Sequence, residues 1–257
     1  MIKEEFVCFR ENLEISGTVI RPAGKSSCPV AVLCHELMGN RQYVAHYAGL
    51  LASLGYAAFC FDFCGGCLDG KSAGETTEMS VLSEVEDLKC VIEYALSRDY
   101  ALPGKTLLFG CSQGGFVAAI AAARSKTVIS DLILLYTAFS IPDEMRAGKM
   151  IKARFSPDNI PDEFYCGPMK VGRKYVTDII DADAYELTKG FGGRVLIIHG
   201  TADTLVDISY SETACSVYRS CGADVTFRAI DGAGHIFKTP EHISEVMEYI
   251  KDFVLSI

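Results

Sequence analysis

Thr106-Leu107-Leu108-Phe109-Gly110-Cys111-Ser112-Gln113-Gly114-Gly115-Phe116 joins an apolar run to an Ala-rich segment that ends at Ala123. The run predicts a buried strand and the Ala-rich segment a helix, with Ser112 at the sharp turn between them. G-x-S-x-G in that setting reads as a nucleophile elbow. The flanking glycines let the backbone fold tightly, so the serine hydroxyl stands clear of the sheet edge. The helix start beyond it offers unpaired N–H groups to a developing negative charge. A small strand-to-helix turn without chemistry would show the same pentapeptide, so the rest of the chain has to decide.

A nucleophilic serine needs a base, and the base needs an acid to orient it, in the chain order Ser, Asp or Glu, His. Downstream, Val195-Leu196-Ile197-Ile198-His199-Gly200-Thr201-Ala202-Asp203 is a buried strand running into a turn with an aspartate just past its end. Val225 to Ile230 is another strand, followed by Asp231-Gly232-Ala233-Gly234-His235. Ser112, Asp203 and His235 are therefore the candidate catalytic residues. Asp207 is the alternative acid. His199, at a strand end, reads as structural, and His35, His46 and His242 stand in no motif with an acid.

These pieces, together with Leu33-Cys34-His35, resemble the α/β-hydrolase superfamily. Phe61-Asp62-Phe63 before a Gly-rich loop, the acidic segment 79–87 and Phe155-Ser156-Pro157-Asp158-Asn159-Ile160-Pro161-Asp162 resemble its cinnamoyl/feruloyl esterase branch. The resemblance implies an α/β-hydrolase fold: a mostly parallel eight-stranded sheet, helices on both faces, and a small lid insertion. It implies a core of residues 1–138 and 192–257 with a lid at 139–191. It also implies hydrolysis of carboxylic esters with short or hydroxycinnamoyl acyl groups, a small-molecule ester as partner, and no metal or organic cofactor. The oxyanion donors would be the amides of Gln113 and Leu37. The family usually carries glycine where this chain has Glu36, whose side chain is expected to face solvent or pair with a neighbour such as Arg41. Phe139, Asp143 and Tyr175 are the lid residues expected to meet the acyl group.

Composition and pattern agree. A chain of 257 residues with 49% hydrophobic content can bury one large core. Its net charge of -9 argues against nucleic acid. No apolar run approaches a membrane span, and Met1-Ile2-Lys3-Glu4-Glu5 does not open a signal peptide. Eleven cysteines then read as reduced cytoplasmic thiols. Cys64-Gly65-Gly66-Cys67 reads as a plain loop, because no second cysteine pair completes a zinc site.

Strands alternate with helices along the chain: a hairpin over 4–9 and 13–20, strands at 30–34, 57–61, 106–111 and 132–136, helices at 44–54, 81–96, 210–220 and 241–255. In the helix at 81–96, Leu82, Val85, Leu88, Ile92 and Ala95 make one apolar face, which predicts that the acidic run is the solvated face. The stretch from Phe139 to Phe191 breaks the alternation and is too long for an ordinary connection. A peptidase or thioesterase would use the same machinery, and a non-catalytic small-molecule receptor would not need all three triad residues in order. A homodimer is left open.

Overall fold

The computed structural model describes residues 1–125 and 129–256. Ile2–Arg10 (β1) and Leu13–Arg21 (β2) form the predicted hairpin, turning at Glu11 with φ 54°. Then follow Cys28–Cys34 (β3), Arg41–Ser53 (α1), Ala57–Phe61 (β4), Val81–Leu96 (α2), Ala101–Cys111 (β5), Ser112–Arg124 (α3) and Ile129–Leu135 (β6). The segment after β6 holds short elements only: Ile141–Arg146 (α4), Lys149–Met150 (β7), Ala153–Arg154 (β8), Glu163–Cys166 (β9), Met169–Gly172 (β10), Arg173–Thr177 (α5) and Ala184–Thr188 (α6). Arg194–Gly200 (β11), Ile208–Ser220 (α7), Asp224–Ile230 (β12) and Pro240–Leu255 (α8) complete the chain.

The main sheet has eight strands in the order β1-β2-β4-β3-β5-β6-β11-β12. Only the β1–β2 and β2–β4 pairs are antiparallel. The central strands are apolar on both faces because helices cover both. In β3, Val30, Val32 and Cys34 pack into one core, and Ala31 and Leu33 into the other. In β11, Val195 and Ile197 alternate with Leu196 and Ile198 in the same way. Helices α1 and α8 lie on the second face; α2, α3 and α7 lie on the first, together with most of the 139–191 segment.

Helix α2 has the predicted bounds, set by a capping box between Ser80 and Ser83. Its acidic run is not the solvated face: Glu84 and Asp87 are fully buried. The side of α2 that carries Glu84 and Asp87 faces α3 and the β4–α2 loop, and only Glu86 of the three carboxylates turns out to solvent. Asp87 is held by Arg10 and by the Cys64 amide, 2.9 Å away. The buried stripe is thus wider than the apolar positions alone, because the hairpin and the β4–α2 loop supply polar partners. No helix among the described residues is long and apolar enough to cross a membrane.

Candidate active site

The loops after β3, β5, β6, β11 and β12 meet at the carboxyl ends of the parallel strands, where open α/β sheets form their crevices. Ser112 stands at the turn after β5 with φ 51°, in the left-handed region that costs a non-glycine residue energy. The turn closes because its neighbours lack side chains. A Cβ on Gly114 would lie 2.2 Å from the His35 carbonyl oxygen, and one on Gly110 would lie 2.3 Å from the Gly114 carbonyl oxygen. Cys111, in the variable position before the serine, is turned into the core.

Ser112 Oγ lies 2.8 Å from His235 Nε2, and His235 Nδ1 lies 2.8 Å from Asp203 Oδ2. The carboxylate can only accept, so Nδ1 carries the ring hydrogen and Nε2 is free to accept from the serine. The loops bearing Asp203 and His235 are tied to each other. Ala202 N donates to Ala233 O at 2.9 Å, and Gly232 N donates to Thr201 Oγ1 at 2.8 Å. Tyr136 packs edge-on to the His235 ring, centroids 5.0 Å apart.

Asp203 accepts two further backbone hydrogen bonds on Oδ1, from Leu205 N (2.9 Å) and Val206 N (3.0 Å). His199 Nε2 lies 3.0 Å from Asp203 Oδ2 and 3.0 Å from the Val206 carbonyl, so it donates; its Nδ1 accepts from Ser211 Oγ at 2.7 Å. Burial alone would raise the Asp203 carboxyl, but the hydrogen bonds from His199 and His235 hold it well below the usual range. Asp207, the alternative acid, caps α7 by accepting from Ser209 N at 2.9 Å and is not part of this chain of hydrogen bonds.

The β3–α1 loop is shaped by His35. Its Nδ1 lies 2.7 Å from the Glu36 carbonyl oxygen, which also accepts from Gly39 N at 3.0 Å. With that oxygen held and the peptide trans, the Leu37 N–H points the opposite way. Gln113, in the first turn of α3, has an N–H without an intrahelical acceptor. Leu37 and Gln113 both line the cleft beside Ser112. Glu36 does not pair with Arg41, which is taken by Asp62, Glu5 and Ser16. Its carboxyl is instead half-buried, pushed up by desolvation and drawn down by its own amide and by His235.

Of the three acyl-group residues expected in the 139–191 segment, Tyr175 lines the cleft. Phe139 does not: it is buried between Phe116 and Tyr185, because the chain turns its aromatic face onto α3. Asp143 lies at an outer cleft, bonded to Arg146 and to Tyr210 Oη. The carboxylate on the inner cleft is its neighbour Glu144, one residue further round α4, which accepts from Ser140 Oγ at 2.8 Å. The inner cleft holds about 50 Å³ and is walled mainly by Ile141, Met145, Met150, Ile151 and Val206.

His35, Asp62 and Cys67 bring ligand-type atoms within 4.8 Å of one another. These atoms are already spent: Asp62 accepts from Arg41 N, Arg41 Nη1 and Lys71 N, and His35 Nε2 accepts from Phe63 N. The cluster braces the loop behind the elbow.

The sequence profile of the prolyl oligopeptidase family matches residues 42–257. Among solved structures, Est1E from Butyrivibrio proteoclasticus with bound ferulic acid superposes with a TM-score of 0.89 at 25% identity, covering 98% of each chain. The acylaminoacyl peptidase of Pyrococcus horikoshii shares the fold at TM-score 0.72 and 18% identity, over 98% of this chain and 41% of that one. The quorum-quenching protein AidA of Acinetobacter baumannii is 32% identical over 118 residues, 45% of this chain and 38% of that protein. The chain thus spans less than half the length of the curated relatives it matches.

Proposed function

The chain belongs to the prolyl oligopeptidase family, and we propose that within this α/β-hydrolase family it is a serine esterase acting on carboxylic esters. The observation that carries this reading is the unbroken relay Ser112 Oγ to His235 Nε2 to Asp203 Oδ2, at 2.8 Å for each link. Ser112 attacks the ester carbonyl while His235 takes its proton, and Asp203 stabilises the imidazolium. The Gln113 and Leu37 amides receive the oxyanion. His235 then returns the proton to the leaving alcohol, and water activated by the same ring frees the acid.

The acyl group enters the cleft under residues 139–191, which act as a lid. At about 50 Å³ the cleft takes a short acyl group directly. A hydroxycinnamoyl group needs Met145, Met150 and Ile151 to move aside, which flexible methionines permit. Glu144 and Tyr175 are the polar groups that would meet a hydroxyl on that arm. Esters of hydroxycinnamic acids are therefore the substrate class we assign, a reading supported by the likeness to a ferulic-acid-bound structure.

A fluorophosphonate probe should label the protein and leave Ser112→Ala unlabelled. A panel of p-nitrophenyl esters, hydroxycinnamate methyl esters, aminoacyl anilides and acyl-CoA thioesters should show turnover of the first two classes. Faster cleavage of the anilides or thioesters would overturn the ester assignment.

A further inference from the structure

Glu84 is a buried carboxylate that the hydrolytic steps leave unused. It projects from α2 toward the elbow, where its Oε2 accepts from Gln113 Nε2 at 2.8 Å. The other end of the same amide, Gln113 Oε1, accepts from Tyr175 Oη at 2.6 Å. All three residues are at least 98% buried, with relative exposures of 1%, 2% and 1%. Tyr175 and Gln113 line the acyl cleft, whereas Glu84 does not. A single amide thus connects a carboxyl outside the cleft to the hydroxyl of a residue that lines it.

The amide has two ends of opposite character, so what Glu84 does to one end is repeated, inverted, at the other. An ionised Glu84 accepts only. It holds the NH2 end of Gln113, which leaves the carbonyl end to take the Tyr175 hydrogen. Tyr175 then offers the cleft lone pairs. A protonated Glu84 gains a donor, which can bond the Gln113 carbonyl once the amide has turned over. The NH2 end then donates to Tyr175 Oη, and the Tyr175 hydrogen is released toward the cleft.

We propose that the Glu84–Gln113–Tyr175 chain is a specificity relay in which Glu84, a positioning residue, decides whether Tyr175 accepts from or donates to the acyl group. The proposal rests on the esterase reading for its substrate but on the geometry of the three residues for its mechanism. Glu84 is well suited to change state. Its Oε1 is buried without a hydrogen-bond partner among the described residues, which penalises a full charge more than a neutral acid. The groups facing it are Asp87 on α2, Cys34 on β3, Cys67 in the β4–α2 loop, Gln113 on α3 and Tyr175 on α5. None of these is cationic. Burial accordingly pushes the Glu84 carboxyl to about 8, against the pull of the Gln113 hydrogen bond and with help from Asp87.

The test compares kcat/KM for methyl 4-(hydroxymethyl)cinnamate and methyl 4-(methoxymethyl)cinnamate between pH 6 and pH 9. The first can donate or accept, the second can only accept, and neither ionises. Any pH effect on the shared hydrolytic steps acts on both esters and cancels in the ratio. The ratio of hydroxy to methoxy ester should rise with pH by roughly three- to tenfold, the worth of one neutral hydrogen bond. Tyr175→Phe and Glu84→Gln should each flatten it. A flat ratio in the native chain, or a step that survives in either variant, overturns the relay. If neither ester is cleaved, the substrate assignment fails and the relay is decided by NMR on the unliganded native protein. There the Gln113 side-chain amide must shift with the same midpoint as the Glu84 carboxyl carbon. A Glu84 midpoint near its ordinary 4.5, or a Gln113 amide indifferent to pH, sinks the proposal whatever the substrate.

Discussion

Replacing Asp203 by asparagine puts the relay under a demand that can be worked out atom by atom. Four donors converge on this carboxylate: Leu205 N and Val206 N on Oδ1, His235 Nδ1 and His199 Nε2 on Oδ2. Asparagine has one acceptor oxygen, so its NH2 must confront one pair of donors. The two backbone amides cannot change, whereas the two imidazoles can change tautomer. The amide oxygen therefore stays with Leu205 and Val206, and the NH2 faces the rings. His235 must move its hydrogen to Nε2 so that Nδ1 can accept. It then has no lone pair for the Ser112 proton. The expected loss in kcat is roughly 10⁴-fold, the effect of the wrong tautomer in a serine triad, or about 5 kcal/mol of barrier. The assay is kcat and KM on p-nitrophenyl acetate, with a thermal melt to show that the variant folds. Asp207→Asn is the control and should retain its kcat, since it only weakens the cap of α7. A folded Asp203→Asn enzyme within tenfold of the native kcat, or an equal loss in Asp207→Asn, would refute the assignment of the acid.

Further outcomes follow from the same geometry. His199→Phe removes one of the two donors on Asp203 Oδ2, and kcat should fall by about tenfold or more with KM little changed, the scale of a hydrogen bond to a charged group; an unaltered kcat would make His199 a packing residue only. Gly114→Ala places its Cβ 2.2 Å from the His35 carbonyl and 2.8 Å from that of Cys34, both backbone. The elbow cannot yield without moving β3, so the variant should lose more than about 4 kcal/mol or fail to fold; a melting temperature close to the native one contradicts this. Glu84 also links stability to pH. Its carboxyl is raised in the folded state to about 8 from 4.5, so its contribution is fully present below pH 4.5 and is lost as pH rises through 8. Between those limits the native chain should lose on the order of a few kcal/mol relative to Glu84→Gln, read from paired urea melts; parallel stability curves would mean that Glu84 titrates normally.

Most of the fold was legible in the chain because it is locally encoded. Strand and helix periods, the Gly-flanked Ser112, and the Gly turns before Asp203 and His235 each depend on a few neighbouring residues. The helix at 81–96 followed from the period of its apolar residues. What that period could not say is what lies against the helix, so Glu84 and Asp87 read as solvated when α3, the hairpin and the β4–α2 loop in fact enclose them. The same limit applies to the choice between Asp203 and Asp207, four residues apart and alike in type. The strand-end turn puts Asp203 first in the sequence, and the approach of the β12 loop brings His235 to it, leaving Asp207 to its helix. Phe139 and Asp143 read as residues that meet the acyl group, but the chain before α4 turns inward and α4 sends successive side chains to different sides. Phe139 enters the core, and Glu144 rather than Asp143 reaches the inner cleft. Chemistry-bearing residue types and their order are properties of the sequence by itself. Which of them touch, and which are taken out of water, depends on segments far apart in the chain, and burial and hydrogen bonding across those distances exist only once the sheet has brought its loops together.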